Sequence, residues 1–163
     1  MRISPAGADD LAKIFFLEQA IEGNSAASLE TLRNRRQMFG PGFLAAREDD
    51  HIVGYVESCL WDLSVPEFDS RADFFACHHR SGGKVLYIIF LGVEQNSRRQ
   101  GVGSTLLGSV MAVARKHGVH KIQVVSRQHL ISLYSGQGFT TVQKIPGFLP
   151  GADDFYLLEY KFF

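Results

Sequence analysis

A polar segment with two glycines, placed between an apolar run and an amphipathic stretch, is the part of the sequence best suited to chemistry. It reads Arg98-Arg99-Gln100-Gly101-Val102-Gly103-Ser104. Glycine has no β-carbon, so the backbone can approach a ligand closely, and the first turn of a helix offers unpaired N–H groups and the positive end of its dipole. The segment therefore predicts a phosphate or diphosphate site, to which Arg98 and Arg99 would add charge. A glycine pair alone is equally typical of a loop that only turns the chain.

Two common phosphate-binding motifs do not fit this segment. A Walker-type loop needs a lysine followed by serine or threonine after its last glycine, whereas Gly103 is followed by Ser104-Thr105. A dinucleotide fingerprint needs a third glycine where the chain has Leu106, and an acid at the end of the next strand, where it has Ser126-Arg127. Both classes of nucleotide site are excluded.

Two ordered motifs resemble one known family. Arg98-x-x-Gly101-x-Gly103 resembles the (Gln/Arg)-x-x-Gly-x-(Gly/Ala) signature of the GNAT superfamily of N-acetyltransferases. The later Leu133-Tyr134-Ser135-Gly136-Gln137-Gly138-Phe139 is similar to the Leu-Tyr-x-x-x-Gly-Phe element of the same superfamily. The resemblance covers residues 85–143. It implies an α/β (α+β) fold whose mostly antiparallel sheet of six to seven strands is flanked by about four helices and splayed between its two central strands.

The resemblance also implies a cofactor, acetyl-CoA, and the residues that bind it. The backbone of residues 90–93 would bind the pantetheine arm, and the helix start would bind the diphosphate. The expected cofactor-binding residues are Leu91, Gly92, Val93, Arg98, Arg99, Gln100, Gly101, Val102, Gly103, Ser104 and Arg127. Arg127 stands where the family often has asparagine, and it could instead reach a phosphate.

Tyr134 is the strongest catalytic candidate, because the matching tyrosine of the superfamily acts as general acid toward the departing sulfur. The alternative is that its ring only packs in the core. The amine must lose a proton before it attacks, but no base can be assigned. Tyr87 could relay the proton through water, although packing is the commoner role for such a residue. The other candidates are Glu57, Asp62, His78 and His79, and the period-two pattern of its strand would also allow Glu57 to face solvent.

A weaker resemblance connects two stretches, 60–62 and 79–84, with the arylalkylamine N-acetyltransferases. Those enzymes carry two histidines on the central strand, where this chain has Tyr87 and Ile89. Trp61 and Asp62 are the expected substrate-binding residues. Aromatic and acidic residues in the following loop would suit an aromatic or cationic amine; they are Glu67, Phe68, Asp69, Asp73, Phe74 and Phe75.

The function predicted from these residues is transfer of an acetyl group from acetyl-CoA to a primary amine, by direct attack in a ternary complex. The acceptor would be a small-molecule amine or a peptide N-terminus. The alternative is a sensor or regulatory domain that binds acyl-CoA without turnover, a hypothesis that the missing base keeps open. Homodimers are common in the superfamily, so a homodimer is also an expectation.

The elements that must position these residues can be predicted from periodicity. Helices are predicted over 9–21, 28–38, 101–117 and 128–136. Strands are predicted over 43–48, 51–60, 85–93, 121–125, 139–143 and 154–162, the first two forming a hairpin. The 85–93 run is apolar throughout, as in a central strand covered on both faces. Residues 62–83 are predicted to form an irregular loop on the substrate side.

Length and composition limit the remaining possibilities. The 163 residues, 45% of them hydrophobic, suit one domain spanning 1–163. Seventeen basic and seventeen acidic residues balance, so no global field would attract nucleic acid or an anionic membrane. No apolar run is long enough to span a bilayer. Cys59 and Cys77 have no metal-ligand spacing, so we expect no metal. The N-terminal residues do not resemble a leader sequence, so we expect a cytoplasmic protein.

Overall fold

The structure, a computed structural model, describes residues 1–63, 74–149, 151 and 154–162. Within these residues it contains seven strands and five α-helices. The strands are β1 (Arg2–Pro5), β2 (Leu44–Glu48), β3 (His51–Trp61), β4 (Val85–Val93), β5 (Lys121–Arg127), β6 (Thr140–Lys144) and β7 (Phe155–Lys161). The helices are α1 (Leu11–Glu22), α2 (Leu29–Met38), α3 (Phe74–His78), α4 (Val102–Lys116) and α5 (Ile131–Ser135).

All seven strands form one sheet in the order β1-β2-β3-β4-β5-β7-β6. Every neighbouring pair is antiparallel except β4 and β5, which run parallel. The β4–β5 pairing ends at Ile88 and Val124, although both strands continue beyond these residues. The predicted mixed sheet with a central splay is therefore confirmed, and the gap opens before Leu91.

The sheet is covered on both faces, and different helices cover each face. The apolar stripe of α4 packs on one face with α5; its buried members are Val102, Leu106, Leu107, Val110, Met111 and Ala114. Helices α1 and α2 cover part of the other face through Ile14 and Leu32, against Tyr55 of β3. Helix α2, predicted over 28–38, is capped at its start, since Ser28 Oγ accepts a hydrogen bond from the Thr31 N–H at 3.1 Å.

Two short elements were absent from the expectations. Strand β1 pairs with β2 at the sheet edge, and α3 lies inside the stretch expected to be irregular. With four and five residues respectively, these elements are too short to produce a periodic pattern. No helix among the described residues is long and apolar enough to cross a membrane.

Candidate functional site

A cavity of about 450 Å³ opens where β4 and β5 diverge. Residues 89–91 of β4 and 124–127 of β5 form the sheet side of its wall. The opposite side comes from α1, α2 and the connection between them, including Glu18 and Arg35. The predicted cofactor-binding residues Leu91 and Arg127 and the predicted acid Tyr134 contribute to this wall. The splay thus creates a chamber that side chains from both faces of the sheet can reach.

Tyr134 lies on α5 at the edge of this cavity and is 4% exposed. Its ring makes an edge contact with Phe139, with centroids 5.6 Å apart. Burial raises the pKa of Tyr134, because removal from water disfavours the phenolate. The hydroxyl therefore stays protonated and can act as a hydrogen-bond donor.

The start of α4 has the geometry expected of an anion site. Gly101 is the N-cap residue with φ of +84°, a left-handed conformation that favours glycine, and no side chain caps the helix. A β-carbon built on Gly101 would meet no atom within 4 Å, so the space beside the helix start is open. The N–H groups of a first helical turn have no partner within the helix. Arg98, Arg99 and Gln100 are exposed beside it, and Arg98 Nε donates to the Val93 carbonyl at 3.1 Å.

Arg127 lies at the end of β5 and is held by two partners. Its Nη2 donates to Glu22 Oε2 of α1 at 3.1 Å, and its guanidinium lies 5.1 Å from the ring centroid of Phe155. The ion pair connects α1 to β5 across the open end of the splay. In this arrangement Arg127 forms part of the cavity wall.

Tyr87 and the two expected substrate residues lie away from the cavity wall. The Tyr87 ring packs against both Trp61 and Phe75, with centroids 4.4 and 5.7 Å away, and its hydroxyl interacts with the backbone of Val125. Trp61 Nε1 donates to Gln123 Oε1 at 3.2 Å. Asp62 is exposed and accepts from the Lys84 N–H at 2.9 Å. Trp61 and Tyr87 thus belong to a packed aromatic cluster, and Asp62 lies at the exposed edge of that cluster.

The two histidine candidates also lie outside the cavity wall. His78 Nδ1 lies 2.9 Å from the Phe74 carbonyl oxygen, and His79 Nδ1 accepts from the Leu60 N–H at 3.2 Å. Phe74 and Phe75 of the expected aromatic loop belong to α3, and Phe75 reaches the cavity. The remaining loop candidates, Glu67, Phe68, Asp69 and Asp73, lie outside the described residues.

Glu57 is the residue whose position differs most from expectation. It is fully buried and lines the cavity, so the interpretation that it could face solvent was wrong. Its face of β3 also carries Tyr55, Cys59 and Trp61, all of them buried. This mainly apolar alternation was the sequence signal that Glu57 points inward.

A network of charged and polar side chains surrounds Glu57. Arg35 of α2 donates from Nη1 to Glu57 Oε1 at 2.6 Å. Next to this pair, the Tyr55 hydroxyl donates to Glu18 Oε2, and the Ala27 N–H donates to Glu18 Oε1 at 2.9 Å. Burial raises the pKa of Glu57 to about 7, although the Arg35 charge opposes this shift. The cavity therefore contains a carboxyl group that titrates near neutral pH.

Comparisons with known proteins agree with this geometry. The chain matches the sequence profile of the acetyltransferase (GNAT) family over residues 9–139. Three solved structures illustrate the likeness in fold. GphF, a GNAT-like decarboxylase in complex with isobutyryl-CoA, is 21% identical with a TM-score of 0.86, and the match covers 99% of each chain.

The second structure is the loading GNATL domain of CurA from Lyngbya majuscula, which is 16% identical with a TM-score of 0.84, the match covering 98% of this chain and 96% of that one. The ribosomal-protein-alanine N-acetyltransferase from Brucella melitensis is 22% identical with a TM-score of 0.69 and 99% coverage of each chain. A search of curated protein sequences found no significant match. The family profile spans most of the chain, from just before α1 to the residue before β6, and the splayed sheet has the family's fold. The chain belongs to the acetyltransferase (GNAT) family.

Proposed function

We propose that the protein transfers an acetyl group from acetyl-CoA to a primary amine, carried by a small molecule or a peptide N-terminus, by direct attack in a ternary complex. One observation carries this proposal: the cavity at the strand divergence brings together a protonated tyrosine, Tyr134, and the open backbone of β4. Solved structures of the same fold contain CoA esters, including isobutyryl-CoA and acetyl-CoA.

The cofactor would lie along β4 toward the start of α4. Beyond Ile88 the backbone of β4 has no pairing with β5, so its N–H and C=O groups are available to the amides of a pantetheine arm. Further along, the N–H groups that follow Gly101 would receive the diphosphate, with Arg98 and Arg99 supplying positive charge. This placement would put the thioester in the cavity beside Tyr134.

Tyr134 would assist departure of the sulfur by donating a hydrogen bond as negative charge develops there. An ordinary thiol has a pKa of about 8.5, whereas burial raises the pKa of Tyr134 above its usual value. The tyrosine therefore keeps its proton at equilibrium and stabilises the thiolate without becoming a phenolate. A preorganised donor of this kind acts most strongly in a site from which water is excluded.

The acceptor chemistry follows from the cavity wall. Three carboxylates line it, from Glu18, Glu22 and Glu57, against two guanidinium groups, from Arg35 and Arg127. When all are ionised, the excess negative charge favours an ammonium group. Apolar side chains form much of the remaining wall; they are Phe75, Ile89, Phe90, Leu91, Phe148, Leu149 and Phe155. We therefore expect a primary amine attached to an apolar body.

The first experiment is calorimetric titration with acetyl-CoA, followed by a free-thiol assay with a panel of apolar and aromatic primary amines. Amine-dependent thiol release is the expected result. Tyr134→Phe should lower turnover while cofactor binding persists, and Tyr160→Phe, which alters a tyrosine outside the cavity wall, is the matched control. Binding without release from any amine would instead favour the non-catalytic sensor, and no binding would contradict both functions.

A second candidate function is decarboxylation of a carboxyacyl-CoA. Two observations favour it: the likeness in fold to a GNAT-like decarboxylase, and Arg35, a guanidinium group in the cavity wall that could bind an acyl carboxylate. Incubation with malonyl-CoA in the absence of amine separates the two functions. A decarboxylase would release carbon dioxide and form acetyl-CoA, whereas the proposed transferase would leave malonyl-CoA intact.

A further inference from the structure

We infer that Glu57 is the catalytic base, taking the proton from the attacking amine, and that Arg35 is the positioning residue that holds its carboxylate. This inference rests on the proposed function, because a base is needed only if an amine attacks the thioester. It assigns a role that the sequence left open among several candidates. The following observations carry it.

The first observation is the position of Glu57 relative to Tyr134. Glu57 lies on the sheet face that α1 and α2 cover, whereas Tyr134, on α5, packs into the core on the face that α4 covers. Both residues nevertheless line the same cavity, because the splay between β4 and β5 connects the two faces. A thioester in the splay would therefore have a hydrogen-bond donor for its sulfur on one side and a proton acceptor for the amine on the other.

The second observation is an unused oxygen on a buried carboxyl group. Glu57 Oε1 accepts from Arg35, but Oε2 has no hydrogen-bond partner within the part of the chain that the structure describes. Buried polar atoms are nearly always paired, so an orphan in a cavity wall points to a missing ligand or water. Glu18, the neighbouring buried carboxyl, contrasts with it because both of its oxygens accept hydrogen bonds.

The third observation is a β-bulge next to Glu57, in the pairing of β3 with β4. The register of these strands shifts between Glu57 and Ser58, where Glu57 pairs with Phe90 and Ser58 with Ile88. Ile89 is thus the extra residue of a β-bulge, a feature that re-aims side chains and is common next to active sites. The bulge places Glu57 opposite the stretch of β4 that lines the cavity.

The proton and bond changes balance with Glu57 as acceptor. An ammonium proton moves to Glu57 Oε2, directly or through one water, and leaves a neutral amine. The nitrogen lone pair forms the C–N bond, and the C–S bond breaks with its electron pair remaining on sulfur. The second nitrogen proton is lost as the amide forms and balances the proton taken up by the thiolate. One proton per turnover passes from Glu57 to solvent.

The electrostatic surroundings agree with this role. The groups facing Glu57 are Arg35 from α2, Glu18 from α1, and Tyr55 and Cys59 from β3. Burial and the Glu18 charge raise the pKa of Glu57, Arg35 opposes them, and the result is about 7. A base with this pKa is ionised in most molecules above pH 7 and still basic enough to bind a proton.

The test compares wild type with Glu57→Gln, using the best amine from the thiol-release panel. We expect kcat/KM for the amine to fall by about 10² to 10⁴-fold, the usual contribution of a general base, while acetyl-CoA affinity stays within about twofold. The wild-type kcat/KM for the amine should fall as the pH drops through about 7, because the base becomes protonated. The variant should lack this acidic limb of the pH profile. Glu57→Asp should keep that limb at reduced turnover, and Arg35→Lys should move it.

Glu159→Gln is the matched control, because Glu159 is a buried carboxyl on β7 that pairs with Lys121 and Gln123 away from the cavity. It should retain the acidic limb. If Glu57→Gln fails to fold, infrared titration of the wild-type carboxyl bands supplies a second measurement, and absence of a buried carboxyl titrating near pH 7 would overturn the inference.

An active wild type whose Glu57→Gln variant keeps its rate and its acidic limb overturns the role of Glu57 alone. A wild type that binds acetyl-CoA but acetylates no amine overturns the proposed function, and the inference with it. The two failures are distinguished by the wild-type assay, before any variant is compared.

Discussion

The buried carboxyl of Glu57 should make the stability of the fold depend on pH in an unusual direction. Its pKa is about 7 in the folded protein, against 4.5 for the free side chain. A carboxyl whose pKa is raised on folding stabilises the fold below its unfolded pKa, and this contribution is lost as pH rises through the folded pKa. Replacement by glutamine removes the titration and keeps the shape of the side chain.

The magnitude follows from the two pKa values. One pKa unit corresponds to about 1.4 kcal/mol, so the full effect of the shift is about 3.4 kcal/mol. Between pH 5 and pH 8 the linkage relation gives about 2.5 kcal/mol, because part of the titration lies outside this interval. The free energy of unfolding of wild type minus that of Glu57→Gln should therefore fall by about 2.5 kcal/mol from pH 5 to pH 8.

Urea unfolding followed by circular dichroism at half-unit pH steps measures this difference. Glu159→Gln provides a control of opposite sign, because Lys121 and Gln123 lower the pKa of Glu159. The contribution of Glu159 to the free energy of unfolding is present above its unfolded pKa and is lost only as pH falls further. The difference in free energy of unfolding between wild type and Glu159→Gln should therefore be nearly constant between pH 5 and pH 8. A Glu57→Gln difference that is equally flat, or that grows with pH, would refute the reasoning.

Three further outcomes are expected. Tyr134→Phe should lower kcat by about 10-fold to 100-fold with little change in acetyl-CoA affinity. The reason is that a neutral hydrogen bond contributes about 1 kcal/mol, and one in a preorganised site contributes more. Equal losses of kcat, measured by steady-state kinetics, and of acetyl-CoA affinity, measured by calorimetry, would assign Tyr134 to binding. Gly101→Asp should abolish acetyl-CoA binding, because it places a carboxylate at the helix start and strains a residue with φ of +84°. Gly118→Asp, at a positive φ beyond the opposite end of α4, is the calorimetric control. Leu107→Ala should destabilise the fold by about 2–5 kcal/mol in urea unfolding, because Leu107 is fully buried on the core face of α4. A loss below about 1 kcal/mol would contradict its place in the core.

The sequence predicts best those elements whose local pattern agrees with their environment. The stripe of α4 and the uniformly apolar β4 each extend over enough residues to show their period, and both helix ends and strand ends lie close to expectation. The start of α4 agrees with its sequence as well, because the left-handed conformation found at Gly101 favours glycine.

The chemical side of the site was harder to predict because it depends on residues distant in sequence. Arg35 meets Glu57, and Arg127 meets Glu22, across separations that no local pattern encodes. The apolar alternation of β3 indicates that Glu57 points inward, but its pairing with Arg35 becomes visible only when α2 packs against the sheet. Conversely, Trp61 and Asp62 suggest a binding role by type, but the structure assigns Trp61 to an aromatic cluster and Asp62 to exposed contacts with Lys84 and Arg80.

Because the β4–β5 pairing ends early, the main chain and the side chains of β4 would recognise different ligands in the stretch beyond Ile88. Beyond Ile88, β4 offers peptide groups that every amino acid provides, so a ligand rich in amides could dock there as a substitute strand whatever the local residues are. The side chains of the same stretch, such as Phe90, point into the chamber where the acceptor would lie. Under the proposed function, substitutions along this strand would alter the choice of acceptor while the backbone contacts to the cofactor persist, which would make the chamber suitable for directed evolution toward new amines.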